Sequence, residues 1–328
     1  MATDREKLGA YGAWASVCFF WGTTYLAISV GLETFPPMLF AGLRFLTAGV
    51  ILFLLMSRQR NVRLPRGREW VSLTGVGLAL LAVGNGSVVW AQQYLTSGMA
   101  ALLVATGPFW VATLEGLRAD GERVNRWGVL GLLLGFGGLG ILVAPKLFGA
   151  ELGVGYLAGV LAIQLACFSW SAGSVYAKHN QVGVHPLMGA SVQMLAAGVA
   201  LTLLGTFTGE WGVLRVSPRS LAALAYLVVF GSIVAYGSYI YAMQKLPLSI
   251  VSTYTYINPV IAVLLGWAVL GEGLDWRMAL GASVILGGVA LVKAAPKLSS
   301  RRRARLDEQE KSHLERLRHG NSQNLAAR

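Results

Sequence analysis

The sequence predicts an all-α integral membrane protein whose ten transmembrane helices form two inverted five-helix repeats around a central cavity. Three observations carry this expectation: a composition too apolar for water, ten apolar runs of spanning length, and one unit of about 150 residues written twice. Hydrophobic residues make up 55% of the chain and charged residues 13%, too few ionic groups to wet a soluble surface. Crossing about 30 Å of hydrocarbon takes a helix of roughly 20 mostly apolar residues. The runs are continuous and lack the two-residue alternation of a membrane barrel, which excludes spanning strands.

The first run, near 9–31, follows MATDREK. It is too long for a signal-peptide core and has no convincing small-residue cleavage site, so it reads as a retained first helix. The others lie near 36–56, 70–92, 98–117, 127–145, 153–177, 186–207, 218–243, 249–271 and 276–294. CFFW (18–21) in the first recurs as CFSW (167–170) in the sixth, 149 positions on. At the same offset Pro37, Ala48, Gly49 and Val50 of the second meet Pro186, Ala197, Gly198 and Val199 of the seventh. The offset becomes 151 where WAQQYL (90–95) matches YAMQKL (241–246) and Pro108 matches Pro259. It is 150 where Gly131, Gly137 and Gly138 match Gly281, Gly287 and Gly288. Single-residue slips at loops are what a duplicated unit tolerates. The units are 8–146 and 153–295, followed by a basic tail at 296–328.

Five spans is an odd number, so the second unit enters the membrane from the opposite side. With the N-terminus in the cytoplasm, Arg58, Arg60, Arg63, Arg66, Arg68, Arg118, Arg123, Arg126, Lys178 and Lys245 join Arg5 and Lys7 there, 12 cations against Lys146, Arg215, Arg219 and Arg277 outside. The positive-inside rule then places both termini in the cytoplasm. The RRRAR of the tail reads as a solvated or lipid-surface segment, with no nucleic-acid partner. A monomer suffices. Cys18 and Cys167 read as small buried residues. No His, Cys, Asp or Glu cluster offers a metal site or a nucleophile, which argues against an intramembrane enzyme and implies no cofactor.

Inverted repeats are the architecture of many secondary transporters, with the site near the midplane beside interrupted helices. Pro108 and Pro259 each lie about halfway along their spans and leave the Val104 and Thr255 carbonyls without the usual N–H donor. They shape a site, or they are simple kinks satisfied by neighbouring helices. Candidate substrate-binding residues are Trp21, Asn85, Thr106, Pro108, Trp170, Tyr236, Tyr239, Tyr254, Tyr256 and Asn258. Tyr236, Tyr239 and Met243 share a helix face. The alternative for the central aromatics is packing. Trp170 is preferred over Trp21 because Ser169, Ser171 and Ser174 surround it with hydroxyls. Trp70, Trp211 and Trp276 read as interfacial anchors. Arg44, the charge well inside a span, needs a partner or water. With Pro259 it is assigned a structural or gating role, anion attraction being the alternative. Glu33, Glu115, Glu122, Glu210, Glu272 and Asp275 all fall at span ends or in loops, so a buried carboxylate that exchanges protons for cationic drugs is missing.

The WG of the first span (Trp21, Gly22), the Arg44-Phe45 pair, the acidic turns Gly121-Glu122 and Gly271-Glu272, and the glycine-rich GLLLGFGGLG resemble the drug/metabolite transporter superfamily, specifically its EamA ten-helix carriers, over residues 10–295. Within it the chain looks most like bacterial amino-acid exporters of the YddG type. The resemblance implies a secondary transporter that exports small metabolites, amino acids above all, including bulky apolar and aromatic ones. Relatives carry other metabolites or drugs, which is the alternative.

Overall fold

The computed structural model describes residues 4–117, 126–147, 153–246, 251, 253–292 and 294. The Gly121-Glu122 turn, Arg118, Arg123 and the basic tail lie outside the described residues, as does the side chain of Met243. No strand occurs among the described residues. The helices are α1 (Asp4–Gly31), α2 (Pro37–Ser57), α3 (Arg68–Gly77), α4 (Gly86–Ala91), α5 (Ser97–Val104), α6 (Gly107–Leu117), α7 (Arg126–Leu147), α8 (Val154–His179), α9 (Pro186–Phe207), α10 (Pro218–Tyr226), α11 (Ala235–Lys245), α12 (Tyr254–Leu270) and α13 (Trp276–Val292). Joined where they run on, they make eight helices among the described residues that are long and apolar enough to cross a membrane, and α12 and α13 are shorter apolar helices.

Two spans are not α-helical throughout. Leu78–Asn85, between α3 and α4, and Leu227–Val234, between α10 and α11, are π-helical. They begin 149 residues apart, the offset of the sequence repeat. A π turn adds a residue and shifts carbonyls out of the α-helical register. Side chains of neighbouring helices reach both segments: Ser169 Oγ donates to the Ala79 carbonyl (2.7 Å) and Trp21 Nε1 to the Gly231 carbonyl (3.2 Å).

The fourth span is broken rather than kinked. α5 stops at Val104, Ala105 and Thr106 form a turn, and α6 restarts one residue before Pro108. The carbonyl that Pro108 was expected to orphan is met from another helix, since the Cys167 thiol lies 3.7 Å from the Val104 oxygen. Thr106 Oγ1 donates to the Leu103 carbonyl (2.7 Å) and Ser171 Oγ to that of Gly107 (3.2 Å). Hydroxyl and thiol groups thus replace the missing amide, as hydrocarbon demands. Pro259 instead lies within the continuous helix α12.

Between helices in lipid, close approach of backbones drives packing more than hydrophobicity does. α2 and α9 run antiparallel: Gly42 faces Thr202, Leu46 faces Gly198, and Gly49 faces Leu195. α7 and α13 do the same, with Gly131 against Gly288 and Gly138 against Gly281. Phe40, Phe45, Met188 and Met194 belong to one buried cluster, and Phe109, Ile163 and Ile285 to a second. Outward apolar side chains such as Leu133, Leu161 and Trp267 are exposed, as a lipid solvent allows. Trp70, Trp211 and Trp276 are exposed at helix ends.

Candidate functional site

α1, α11 and α12 bring four predicted residues together. The Trp21 ring lies 5.4 Å from Tyr239 and 5.1 Å from Tyr254, centroid to centroid. Tyr239 is 6.1 Å from Tyr254 and 6.2 Å from Tyr236. Tyr236 donates its hydroxyl to Gln193 Oε1 on α9 (3.2 Å). The Gln193 backbone is itself braced by α3, because a Cβ on Gly77 would meet the Gln193 Cα at 2.6 Å. Asn258 is buried one turn beyond Tyr254, with its amide nitrogen oriented toward the Cys18 and Tyr254 carbonyls, 3.0 Å from each. Such a group presents aromatic faces and hydroxyls without net charge. Aromatic faces attract ammonium groups and accept apolar side chains of many shapes.

A second polar group surrounds the break in the fourth span. Gln164 Oε1 accepts from Trp110 Nε1 (3.1 Å) and lies 3.3 Å from Thr106 Oγ1. Thr106, two residues before Pro108, is therefore joined to α8, not to the aromatic group. Gln164 escaped the sequence reading. The available signal was its spacing with Cys167 and Ser171, at i, i+3 and i+7 on one face of an apolar helix.

The remaining candidates make none of these contacts. Trp170 packs against the first buried cluster, and its ring passes 3.4 Å from where a Cβ on Gly84 would sit. Two of the three hydroxyls that recommended it, on Ser169 and Ser171, are engaged by backbone carbonyls. Tyr256 packs on the second cluster. Asn85 ends the first π segment with a buried, unpartnered Oδ1. Arg44 is 4% exposed and donates through Nε to Ser232 Oγ (3.0 Å).

Glu210 and Glu272, which the sequence reading leaves at span ends without a task, close one end of the bundle. Glu210 accepts from the Met38 (3.2 Å) and Leu39 (2.8 Å) amides in the first turn of α2. Glu272 accepts from the Ser97 (2.7 Å) and Gly98 (3.0 Å) amides in the first turn of α5. Each carboxylate supplies the acceptors and the negative charge that a helix N-terminus lacks. Gly271, left-handed at φ 66°, ends α12 and swings Glu272 across. At the same end Arg219 pairs with Glu33 (3.3 Å), and two recesses of about 320 and 400 Å³ flank Pro36 and Pro37. Glu272→Ala should lower stability by about 1–2 kcal/mol, the value of a good cap, read as a fall in the thermal midpoint in detergent. Glu33→Ala, which breaks an exposed pair, should cost less than about 1 kcal/mol. Equal shifts for the two variants would refute the capping role.

The model of the EamA-like transporter family matches this chain twice, at residues 9–144 and 157–294. The uncharacterized inner membrane transporter YedA of Escherichia coli is 37% identical over 88% of this chain and 92% of its own length. The uncharacterized transporter YoaV of Bacillus subtilis is 25% identical over 84% and 93%. The WAT1-related protein At3g02690 of Arabidopsis thaliana, described as chloroplastic, is 27% identical over 84% and 67%. A crystal structure of a protein 22% identical superposes with a TM-score of 0.63 over 88% of this chain and 98% of that one, a likeness of fold alone. A multi-pass helical membrane protein covered almost throughout by these matches, the chain belongs to the EamA-like transporter family.

Proposed function

We propose that the protein is a secondary carrier that exports small metabolites, amino acids above all, by alternating access between two inverted five-helix repeats. The observation that carries the substrate reading is the uncharged group of Trp21, Tyr236, Tyr239 and Tyr254, which suits a zwitterion with a variable side chain. The inverted repeat is supported by the antiparallel pairing of its matched helices, α2 with α9 and α7 with α13, and by the matched π segments. Exchange of conformation between two such copies would open the site to either side in turn. Specificity of the YddG kind is part of the proposal.

The experiment is counterflow in proteoliposomes preloaded with single unlabelled amino acids, with phenylalanine, methionine and alanine among them. Transient accumulation of the labelled compound is expected for the bulky apolar ones. No stimulation by any amino acid would return the protein to a carrier of other metabolites. The charge balance of the loops supports a cytoplasmic location for both termini and for the α2–α3 loop. In an otherwise cysteine-poor background, Asn61→Cys should then resist an impermeant thiol reagent applied to intact cells, and Gly149→Cys should react. The reverse pattern would overturn the orientation.

A further inference from the structure

Arg44 is the charge that the fold leaves unanswered. Its guanidinium carries five N–H donors, yet among the described residues it makes one hydrogen bond, to Ser232 Oγ. Its other contact is the Phe45 ring, 4.8 Å from the guanidinium carbon, and Nη1 is buried without a partner. Among the described residues no carboxylate lies within ion-pair distance of it: Glu33, Glu69 and Glu115 pair with other cations at the helix ends, and Glu210 and Glu272 are held by helix N-termini. An arginine that staples a membrane structure spreads its donors over backbone carbonyls. Among the described residues this one donates to none, and the nearby Gly231 carbonyl is taken by Trp21. A hydroxyl and a ring do not compensate for desolvating a guanidinium.

Its position links that deficit to the aromatic group. A Cβ on Gly231 would stand 3.2 Å from Arg44 Nη2, while the carbonyl of the same glycine accepts the Trp21 indole N–H. One residue of the second π segment therefore separates the free guanidinium donors from the aromatic faces. We propose that Arg44 is a substrate-binding residue that receives an oxyanion of the transported molecule, which in the amino-acid reading above, on which this rests, is the α-carboxylate. The guanidinium fork matches a carboxylate in two parallel hydrogen bonds. The substrate completes the ion pair that the protein lacks, and its apolar part lies on Trp21, Tyr239 and Tyr254. A substrate without the oxyanion leaves the charge unpaired.

The test is thermal stabilisation of the purified protein by four probes that share a phenyl ring: L-phenylalanine, 3-phenylpropionate, 2-phenylethylamine and phenyl phosphate. Phenylalanine and 3-phenylpropionate should stabilise the wild type and phenylethylamine should not. Arg44→Gln should raise the half-maximal concentration of both carboxylates by at least about tenfold, the scale of losing one charge-assisted hydrogen bond. Arg44→Lys, which keeps a point charge without the fork, should fall between. A folded Arg44→Gln protein that binds the carboxylates as the wild type does would overturn the assignment, even if phenylalanine is transported. So would stabilisation by the amine as strong as by phenylalanine, or by none of the four. Should Arg44→Gln fail to fold, the wild-type comparison of phenylalanine with phenylethylamine still decides. Stabilisation by phenyl phosphate alone, lost in Arg44→Gln, would uphold the oxyanion site and refute the amino-acid reading.

Discussion

Gly138→Leu should cost the fold about 3 kcal/mol or more, the upper range of overpacking, while Gly137→Leu, one residue away in the same glycine-rich run, should cost almost nothing. A Cβ on Gly138 would meet the Gly281 carbonyl oxygen and the Ile285 amide nitrogen at 2.9 Å each. Both are backbone atoms of α13, so no change of rotamer relieves the contact, and the two helices must separate along their whole crossing. Gly137 has nothing within 4 Å of its Cβ position and is exposed, and a leucine there turns to lipid. Thermal midpoints from size-exclusion profiles of detergent extracts measure the difference. Similar midpoints for the two variants would mean that α7 and α13 do not approach as closely as the glycines indicate.

That pair of glycines marks the boundary of what the sequence can tell. Long apolar runs are legible because hydrocarbon tolerates little else, and the repeat is legible because matched residues recur at a nearly constant offset. Which glycines meet a partner is a property of two helices at once. Gly131, Gly135 and Gly138 share a buried face, but the run reads equally well with Gly137 or Gly140 inward. The π segments are hidden for a related reason, since LALLAVGN and LVVFGSIV read as ordinary apolar span sequence and their displaced carbonyls meet donors from other spans. The caps are hidden by distance: Glu210 lies 171 residues from Leu39, and Glu272 lies 175 from Ser97.

The candidate site was legible as a set of residue types more than as an assembly. Trp21, Tyr236, Tyr239 and Tyr254 lie ring against ring in the structure. Thr106 belongs to a separate polar group at the break beside Pro108, whose centre, Gln164, is an uncharged residue in an apolar helix and so raised no alarm. Gln193 lies 149 residues after Arg44, the offset of the repeat, and nothing in its own neighbourhood marks it. Its side chain meets Tyr236 and its backbone meets α3 at Gly77, two contacts with separate spans that its own segment does not reveal.

The recurring words CFFW and CFSW yield the last prediction. Their tryptophans occupy matched places in the sequence and unlike places in the structure, so their removal should have different consequences. Trp21→Ala opens the centre of the aromatic group, where Tyr239 and Tyr254 each lose a ring contact. In the carrier proposed here, it should weaken counterflow of phenylalanine and methionine by about 1–3 kcal/mol, the scale of burying one large apolar side chain, and affect alanine little. Trp170 packs on the first buried cluster, beside Gly84 of the first π segment. Trp170→Ala should lower the thermal midpoint, a cavity in a packed core costing about 2–5 kcal/mol, and leave the order of preference among the three amino acids as it was. An unchanged preference in Trp21→Ala together with an altered one in Trp170→Ala would move the substrate site from the α1, α11 and α12 side of the bundle to the α8 side.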